Sequence, residues 1–425
     1  MPQNNETKAV NIVVKKRLLA LVLCILLLVP MNGCSGEALR DGIRDILRPS
    51  EKAADPTVYL EEFRTKDRYE RLSPDLQSCY GSLYTALCKQ FSKDTTVRIA
   101  LDDAETESEY PGLSAVLPVR LFSSAEVKTV FEALLHDNPQ FFYLSYNYGL
   151  EGKQRDGVTY FDRIKLIYHM DLPTRTAAKK ELDTTVDAIF AAIPETQDAF
   201  TRELYLHDAL AGRCTYDATA AKEDYAYAPL AYSAYGALAD GHAVCSGYAF
   251  AMLLLLQKAG FDATVVNGNV RETGESHLWN LVTVDGERYY LDATWDDNND
   301  ELRHNYFNIT TAQLEQTHSV FAEEAAYLEP CTATAANYFV RTGAYIDSYH
   351  RQDIAAAIAA AVKDGKSVIE LSFAADKYNS ALLFLKNSTL TCQMVDAILA
   401  PDGLALWDYA LEVRMKEHLL ALLKK

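Results

Sequence analysis

Apolar positions along the chain fall into blocks of two different periods. "SPDLQSCYGSLYTALCKQF" and "SSAEVKTVFEALLHD" repeat hydrophobic residues at helical spacing. The second block opens on serines suited to cap a helix and stops at Asn138-Pro139. "QFFYLSYNYG" and "YFDRIKLIYHM" are aromatic and β-branched, and predict strands of one sheet. The helical pattern "TRTAAKKELDTTVDAIFAAI" follows, so residues 56–194 predict an N-terminal α+β domain, and a second, "QDAFTRELYLHDALAGR", lies just beyond it. A central unit over 195–320 begins its pattern with "CSGYAFAMLLLLQKAG", an apolar helix that should end at Gly260 in a left-handed cap. The strand "FDATVVNGNV" comes next. "HLWNLVTVDGERYYLDATWDD" then alternates on both sides of Asp285-Gly286, a two-residue hairpin signal. Beyond Pro330, "RQDIAAAIAAAVKDG" closes at Gly365 and "KSVIELSF" predicts a strand, giving a small α/β segment over 330–425 with no assignable motif. The fold class expected is α+β, without internal repeats.

The beginning of the chain has another pattern. Lys15, Lys16 and Arg17 precede the apolar run "LLALVLCILLLVPM", and "NGCSG" follows. A positive segment, a short apolar core and a small-residue end are the parts of a signal peptide. The Asn32-Gly33-Cys34 ending resembles a bacterial lipoprotein signal, in which the cysteine after glycine carries the lipid. Residues 1–34 are therefore expected to direct export, with Cys34 as the lipidation site and polar residues 35–55 as a tether. The body would face outside, anchored to the cell membrane or secreted.

Composition narrows the class. A chain of 425 residues exceeds one typical core. Its 49% hydrophobic and 24% charged residues are ordinary for a globular protein. The net charge of −18 argues against a nucleic-acid partner, which needs clustered Lys and Arg. Of eight cysteines, Cys24 and Cys34 lie in the leader. Cys79, Cys88, Cys214, Cys245, Cys331 and Cys392 are widely and irregularly spaced, which is no disulfide framework.

Cys245 sits at the start of the apolar helix, where unpaired N–H groups and the helix dipole stabilise a thiolate. The hairpin supplies partners. A two-residue turn pairs Val284 with Glu287, and counting back sets Trp279 opposite Asp292 and His277 opposite Thr294. His277 and Asp292 then share a face as diagonal neighbours, about 7–8 Å apart at Cα and within reach of each other. A thiolate, an imidazole beside it and a carboxylate to orient the imidazole are the parts of cysteine acyl transfer. The backbone N–H of Cys245 would be one oxyanion donor; a second cannot be read from sequence.

The strings "VCSGYA", "HLWNLV" and "YYLDATWDD", in that order, resemble the transglutaminase-like superfamily. Upstream "YLHDALAGRCTYD" and "SAYGALADGHAVCSGYA", and downstream "NYFNIT" and "THS", are similar to bacterial members. The resemblance implies a papain-like core, with a helix-borne cysteine packed on an antiparallel sheet. It also implies Cys245, His277 and Asp292 as the catalytic triad. Ser246 stands where the group's string often has glutamine. The implied activity is that of a protease or amidase, or of a cross-linking enzyme if an amine replaces water. The implied partner is a protein or peptide substrate, such as a cell-wall peptide, and no cofactor is called for.

Other residues have less to say. Trp279 and Trp295 are expected as wall and support of the site, and Tyr216 and Tyr235 as cleft residues. Each tyrosine taken singly, like Tyr225 and Tyr227, suggests packing rather than an oxyanion donor. Asn280 falls on the opposite face from His277 and is expected to be structural. His207-Asp208 suggests a cap or surface pair, and Asp296-Asp297-Asn298 a solvated acidic loop. His242 and Cys245 lack the second ligand pair of a zinc site. The rival expectation is a catalytically idle surface lipoprotein that binds a protein or polysaccharide. An unreactive Cys245 would distinguish it.

Overall fold

The structure is a computed structural model. It describes residues 67–89, 96–98, 122–155, 158–195, 198–222, 225, 227–298, 301–348, 350–366, 368–374, 376–406, 409–414 and 419–424. The leader, Cys34 and the tether expected from sequence lie outside the described residues. No helix among the described residues is long and apolar enough to cross a membrane.

The N-terminal helices are α1 (Pro74–Lys89) and α2 (Ser124–Asp137). Ser123 caps α2 by accepting from Glu126 N, while the Glu126 carboxylate accepts from Ser123 N at 2.8 Å, a complete capping box. Beside them β1 (Thr96–Arg98), β2 (Leu144–Arg155) and β3 (Val158–Tyr168) form an antiparallel sheet in the order β1-β3-β2. Helices α3 (Leu172–Ala191) and α4 (Ala199–Ala211) follow, each started by an aspartate cap, Asp171 and Asp198.

The central element is α5 (Cys245–Lys258), whose residues from Gly247 through Gln257 are all buried. A helix apolar on every side belongs inside a core. It lies against a four-stranded antiparallel sheet of β6 (Asp262–Val270), β7 (Ser276–Val284), β8 (Glu287–Leu291) and β9 (His318–Val320), in the order β9-β6-β7-β8. Asn280 ties helix to sheet, its side-chain amide donating to Ala249 O at 3.0 Å. A short parallel pair, β4 (Thr215–Tyr216) with β5 (His242–Ala243), precedes the helix.

The hairpin turn has the expected chemistry. Asp285 and Gly286 both take positive φ, 51° and 85°, and Val284 pairs with Glu287. The expected ladder holds as far as Asn280↔Leu291 and then stops. Asp292 turns out of the strand to cap the one-turn helix Ala293–Asp296, so Thr294 is helical and does not face His277 across a ladder.

Residues on both sides of position 195, from Tyr80 and Phe131 to Tyr248, Leu255 and Leu291, share one hydrophobic cluster. The C-terminal segment has its own, around Ile354, Ile369, Phe384 and Val395. There α6 (Arg351–Lys363), α7 (Tyr378–Lys386) and α8 (Ser388–Leu399) accompany a mixed sheet of β10 (Tyr345–Ile346), β11 (Val368–Phe373), β12 (Tyr409–Arg414) and β13 (Leu419–Lys424). Only β10 and β11 run parallel in it.

Candidate active site

Cys245 is the first residue of α5, half-buried, and carries a free thiol. Val244 before it offers no side-chain cap, so the N–H groups of the first turn keep their electropositive character. Cys214 and Cys331 are buried, and burial pushes the Cys214 thiol up to about 12. Ser246 Oγ is buried with no hydrogen-bond partner among the described residues.

His277, on β7, donates from Nε2 to Asp292 Oδ2 at 2.6 Å. Both side chains are buried. Cys245 and His277 line the same cleft. Burial pulls the imidazole down, but Asp292 and then Cys245 more than reverse this and hold it at about 10. Burial alone would push the Asp292 carboxyl up; His277 and His318 draw it well below the usual range. Asp292 Oδ1 accepts from the N–H groups of Thr294 and Trp295, at 3.0 and 3.3 Å. The cap that bends the chain out of β8 thus also fixes the carboxylate.

His318 is the residue that sequence reasoning missed. It is fully buried on β9 and donates from Nε2 to the same Asp292 Oδ2 at 3.1 Å, while its Nδ1 lies 2.8 Å from Thr317 Oγ1. Its signal was the string "THS", which carried a resemblance but no role.

A cleft of about 820 Å³ opens over these groups, lined among others by Tyr216, Cys245, Glu275, His277 and Trp295. Trp295 packs on His277 and His318, with ring centroids 5.9 and 4.4 Å away. Trp279 lies beneath, 1% exposed and 5.8 Å from His277 between centroids, as support and not lining. Tyr235 is a correction: its phenol donates to Glu181 at 2.7 Å and its ring stacks on Phe142, away from the cleft.

Two other expectations change. His207-Asp208 is no surface pair. His207 is fully buried, its Nδ1 2.9 Å from Asp208 Oδ1 and its Nε2 3.2 Å from Asp296 Oδ2. His304 also reaches Asp208, at 3.0 Å, and Glu370 of β11, at 3.2 Å. The acidic run is not a solvated loop either, because Asp296 is fully buried and accepts from Tyr306 N. Asp297 accepts from Tyr248 OH. Core packing imports partners that make both burials tolerable.

Two clusters bring three ligand atoms within 4.8 Å of one another: His277, Asp292 and His318, and His207, Asp208 and His304. In each, imidazole and carboxylate already meet directly, contacts an ion would have to displace.

Fold and site together describe a cysteine-type enzyme framework, with a thiol at a helix start and an imidazole–carboxylate pair on the adjoining sheet. Residues 188–293 match the sequence model of the Transglutaminase-like superfamily, and the chain carries a transglutaminase-like domain there. None of the curated proteins matches the chain. Among solved structures it is similar to a TGase, at 15% identity and a TM-score of 0.26, over 43% of this chain and 51% of that one. It is also similar to a candidate cysteine protease from Cytophaga hutchinsonii, at 12% identity and a TM-score of 0.23, over 38% and 66%. A third is a candidate protease from Parabacteroides distasonis, at 11% and 0.22, over 35% and 36%. The chain spans about half the length of the first of these.

Proposed function

We propose that this protein is an exported cysteine acyl-transfer enzyme that hydrolyses peptide or amide bonds through a thioester on Cys245. The observation that carries this reading is the 2.6 Å contact between His277, which lines the same cleft as Cys245, and Asp292 buried behind it. Cys245 Sγ, its proton held by His277, adds to the substrate carbonyl carbon. His277 then protonates the departing amine. A water molecule attacks the thioester while His277 takes its proton, and the carboxylic acid leaves with the thiolate restored. Asp292 holds the imidazole in the tautomer and orientation both steps need. Peptides of the cell surface are the substrates that suit an exported enzyme.

The test is iodoacetamide labelling of the full-length protein, read by mass spectrometry. Cys245 is expected to react much faster than exposed Cys88, and to lose that advantage in His277→Ala. Equal rates at Cys245 and Cys88 would move the binding-module reading to the front.

Export and anchoring belong to the same proposal, supported by Lys15–Arg17, the apolar run and Cys34. Labelled palmitate should enter the wild-type protein and not Cys34→Ser. Equal incorporation in both would remove Cys34 as the anchor.

A further inference from the structure

A metal-ligating histidine almost always hands its second ring nitrogen to a carboxylate, a carbonyl or water, which fixes the ring and its tautomer. A cluster outside the cleft has that form twice over. His207 sets Nδ1 2.9 Å from Asp208 Oδ1 and Nε2 3.2 Å from Asp296 Oδ2. His304 sets Nε2 3.0 Å from the same Asp208 Oδ1 and Nδ1 3.2 Å from Glu370 Oε2. We propose that this cluster binds a divalent metal ion of the zinc type, held by His207 Nδ1, His304 Nε2 and the Asp208 carboxylate. Asp296 and Glu370 orient the two imidazoles from behind.

The three ligand atoms lie within 4.8 Å of one another. Ligands on tetrahedral Zn²⁺, bound at about 2.0–2.1 Å, stand roughly 3.3 Å apart. The 2.9 and 3.0 Å separations need only open a little to reach that spacing. The ion takes the place of the two direct contacts to Asp208 and leaves the two outer ones intact. Both rings are already held in orientation. His304 stacks on Tyr338 with centroids 3.9 Å apart, and Phe307 meets His207 edge-on at 5.1 Å. Two imidazole nitrogens and a carboxylate oxygen are a donor set that suits Zn²⁺.

Charge points the same way. Asp208, Asp296 and Glu370 bring three carboxylates, and Arg303, 4.0 Å from Glu370, brings one guanidinium. With neutral imidazoles, a divalent ion balances the two negative charges left over. Asp296 and His207 are fully buried, where uncompensated charge is costly. The Asp208 side chain is 37% exposed, which gives the ion a way in and leaves a fourth position to water.

The cluster of His277, Asp292 and His318 lacks this form. There His318 turns its far nitrogen to Thr317 Oγ1 and not to a carboxylate, and all three residues are buried.

An ion at Asp208 is a staple. It joins α4, which carries His207 and Asp208, to the segment that carries His304 and, through Glu370, to β11 of the C-terminal segment. Asp296 ends the one-turn helix that Asp292 caps, so the staple reaches the support of that carboxylate. Binding energy of this kind adds to folding stability. Spacing along the chain could not reveal the site, because Asp208 and His304 are 96 residues apart.

The test is titration of Zn²⁺ into the full-length protein after dialysis against EDTA, read by calorimetry and by melting temperature. The wild type should bind the ion and melt higher with it. Glu370→Gln leaves the three ligands in place and should weaken binding about 10–100-fold, the usual cost of losing an outer carboxylate. Asp208→Asn, which removes the charged ligand from a part-exposed position, should weaken it further and cancel the rise in melting temperature. Cys245→Ser should bind as the wild type does. A wild type that binds no Zn²⁺ would overturn the proposal, leaving protons on the imidazoles to balance the carboxylates. Binding unchanged in Asp208→Asn and Glu370→Gln would overturn it too, and loss in Cys245→Ser would then place the ion at the cleft thiol.

Discussion

His277 and Asp292, fifteen residues apart in sequence, meet at 2.6 Å through Nε2 and Oδ2, and neither is open to solvent. The carboxylate gains its fixed position by leaving the strand: its other oxygen caps the turn that begins at Ala293. An imidazole held this way has one nitrogen committed to the carboxylate.

Asp292→Asn tests that relationship. The amide cannot balance an imidazolium, so hydrolysis should fall roughly 10²–10⁴-fold. There is also a pH signature. Burial lowers the pKa of His277, and Asp292 is the first of the groups that raise it to about 10. Because the folded pKa lies above the ordinary 6.5, the pair's stabilisation is complete below pH 6.5 and is lost as pH rises through about 10. Melting temperatures across that window should slope downward in the wild type and lose that component in Asp292→Asn. Parallel profiles would remove Asp292 as the group that charges His277.

In the proposed mechanism, the shared Oδ2 makes His318 a positioning residue. His318→Phe deletes the 3.1 Å hydrogen bond to the carboxylate. Losing a charge-assisted hydrogen bond of about 1.5–3 kcal/mol predicts a fall in kcat of roughly 10–100-fold, with KM little changed. His318→Gln, which keeps an N–H donor, should recover part of the loss. A variant that melts early yet turns over normally would reduce His318 to packing.

Gly247 ties the first turn of α5 to its support. A Cβ there would stand 2.6 Å from both Ala231 O and Ala243 Cβ, contacts real side chains essentially never show. Gly247→Ala must therefore push the first turn of α5 away from β5. Overpacking of this kind costs about 1–3 kcal/mol, and iodoacetamide labelling of Cys245 should slow along with the drop in melting temperature. Wild-type labelling in a destabilised variant would show that the thiol does not depend on this contact.

Glu203 stores a penalty in the core. It is fully buried, accepts from Asn308 Nδ2 at 2.7 Å, and burial pushes its carboxyl up to about 8. The folded chain thus keeps a proton that the unfolded chain releases from about pH 4.5 upward, so stability falls between pH 4.5 and about 8 and is level above. Glu203→Gln should melt higher than wild type at pH 9 and gain much less at pH 5. The scale is a few kcal/mol, at about 1.36 kcal/mol for each pH unit of the window. An equal gain at both pH values would show that the charge is not the cause.

Much of the architecture could be read before any coordinates. The apolar helix from Cys245 and the strands around Asp285-Gly286 stand where their periods and turn residues put them. The hairpin register followed from the two-residue turn as far as Asn280↔Leu291. The end of β8 at Leu291 was not legible, because Asp292 chooses between continuing a ladder and capping a turn by tertiary fit. Tyr235 went astray for a similar reason: a tyrosine's neighbours, here Glu181 and Phe142, come from distant segments.

The sequence by itself determined the helix that carries the thiol and the hairpin that carries the imidazole, because backbone period and turn conformation are local properties. Only the tertiary structure decided which groups satisfy the buried charges. His318 reaches Asp292 from 26 residues away, and His304 reaches Asp208 from 96. Such partners are selected by burial, where an unpaired charge is too costly to keep, and no local pattern records which distant residue will arrive.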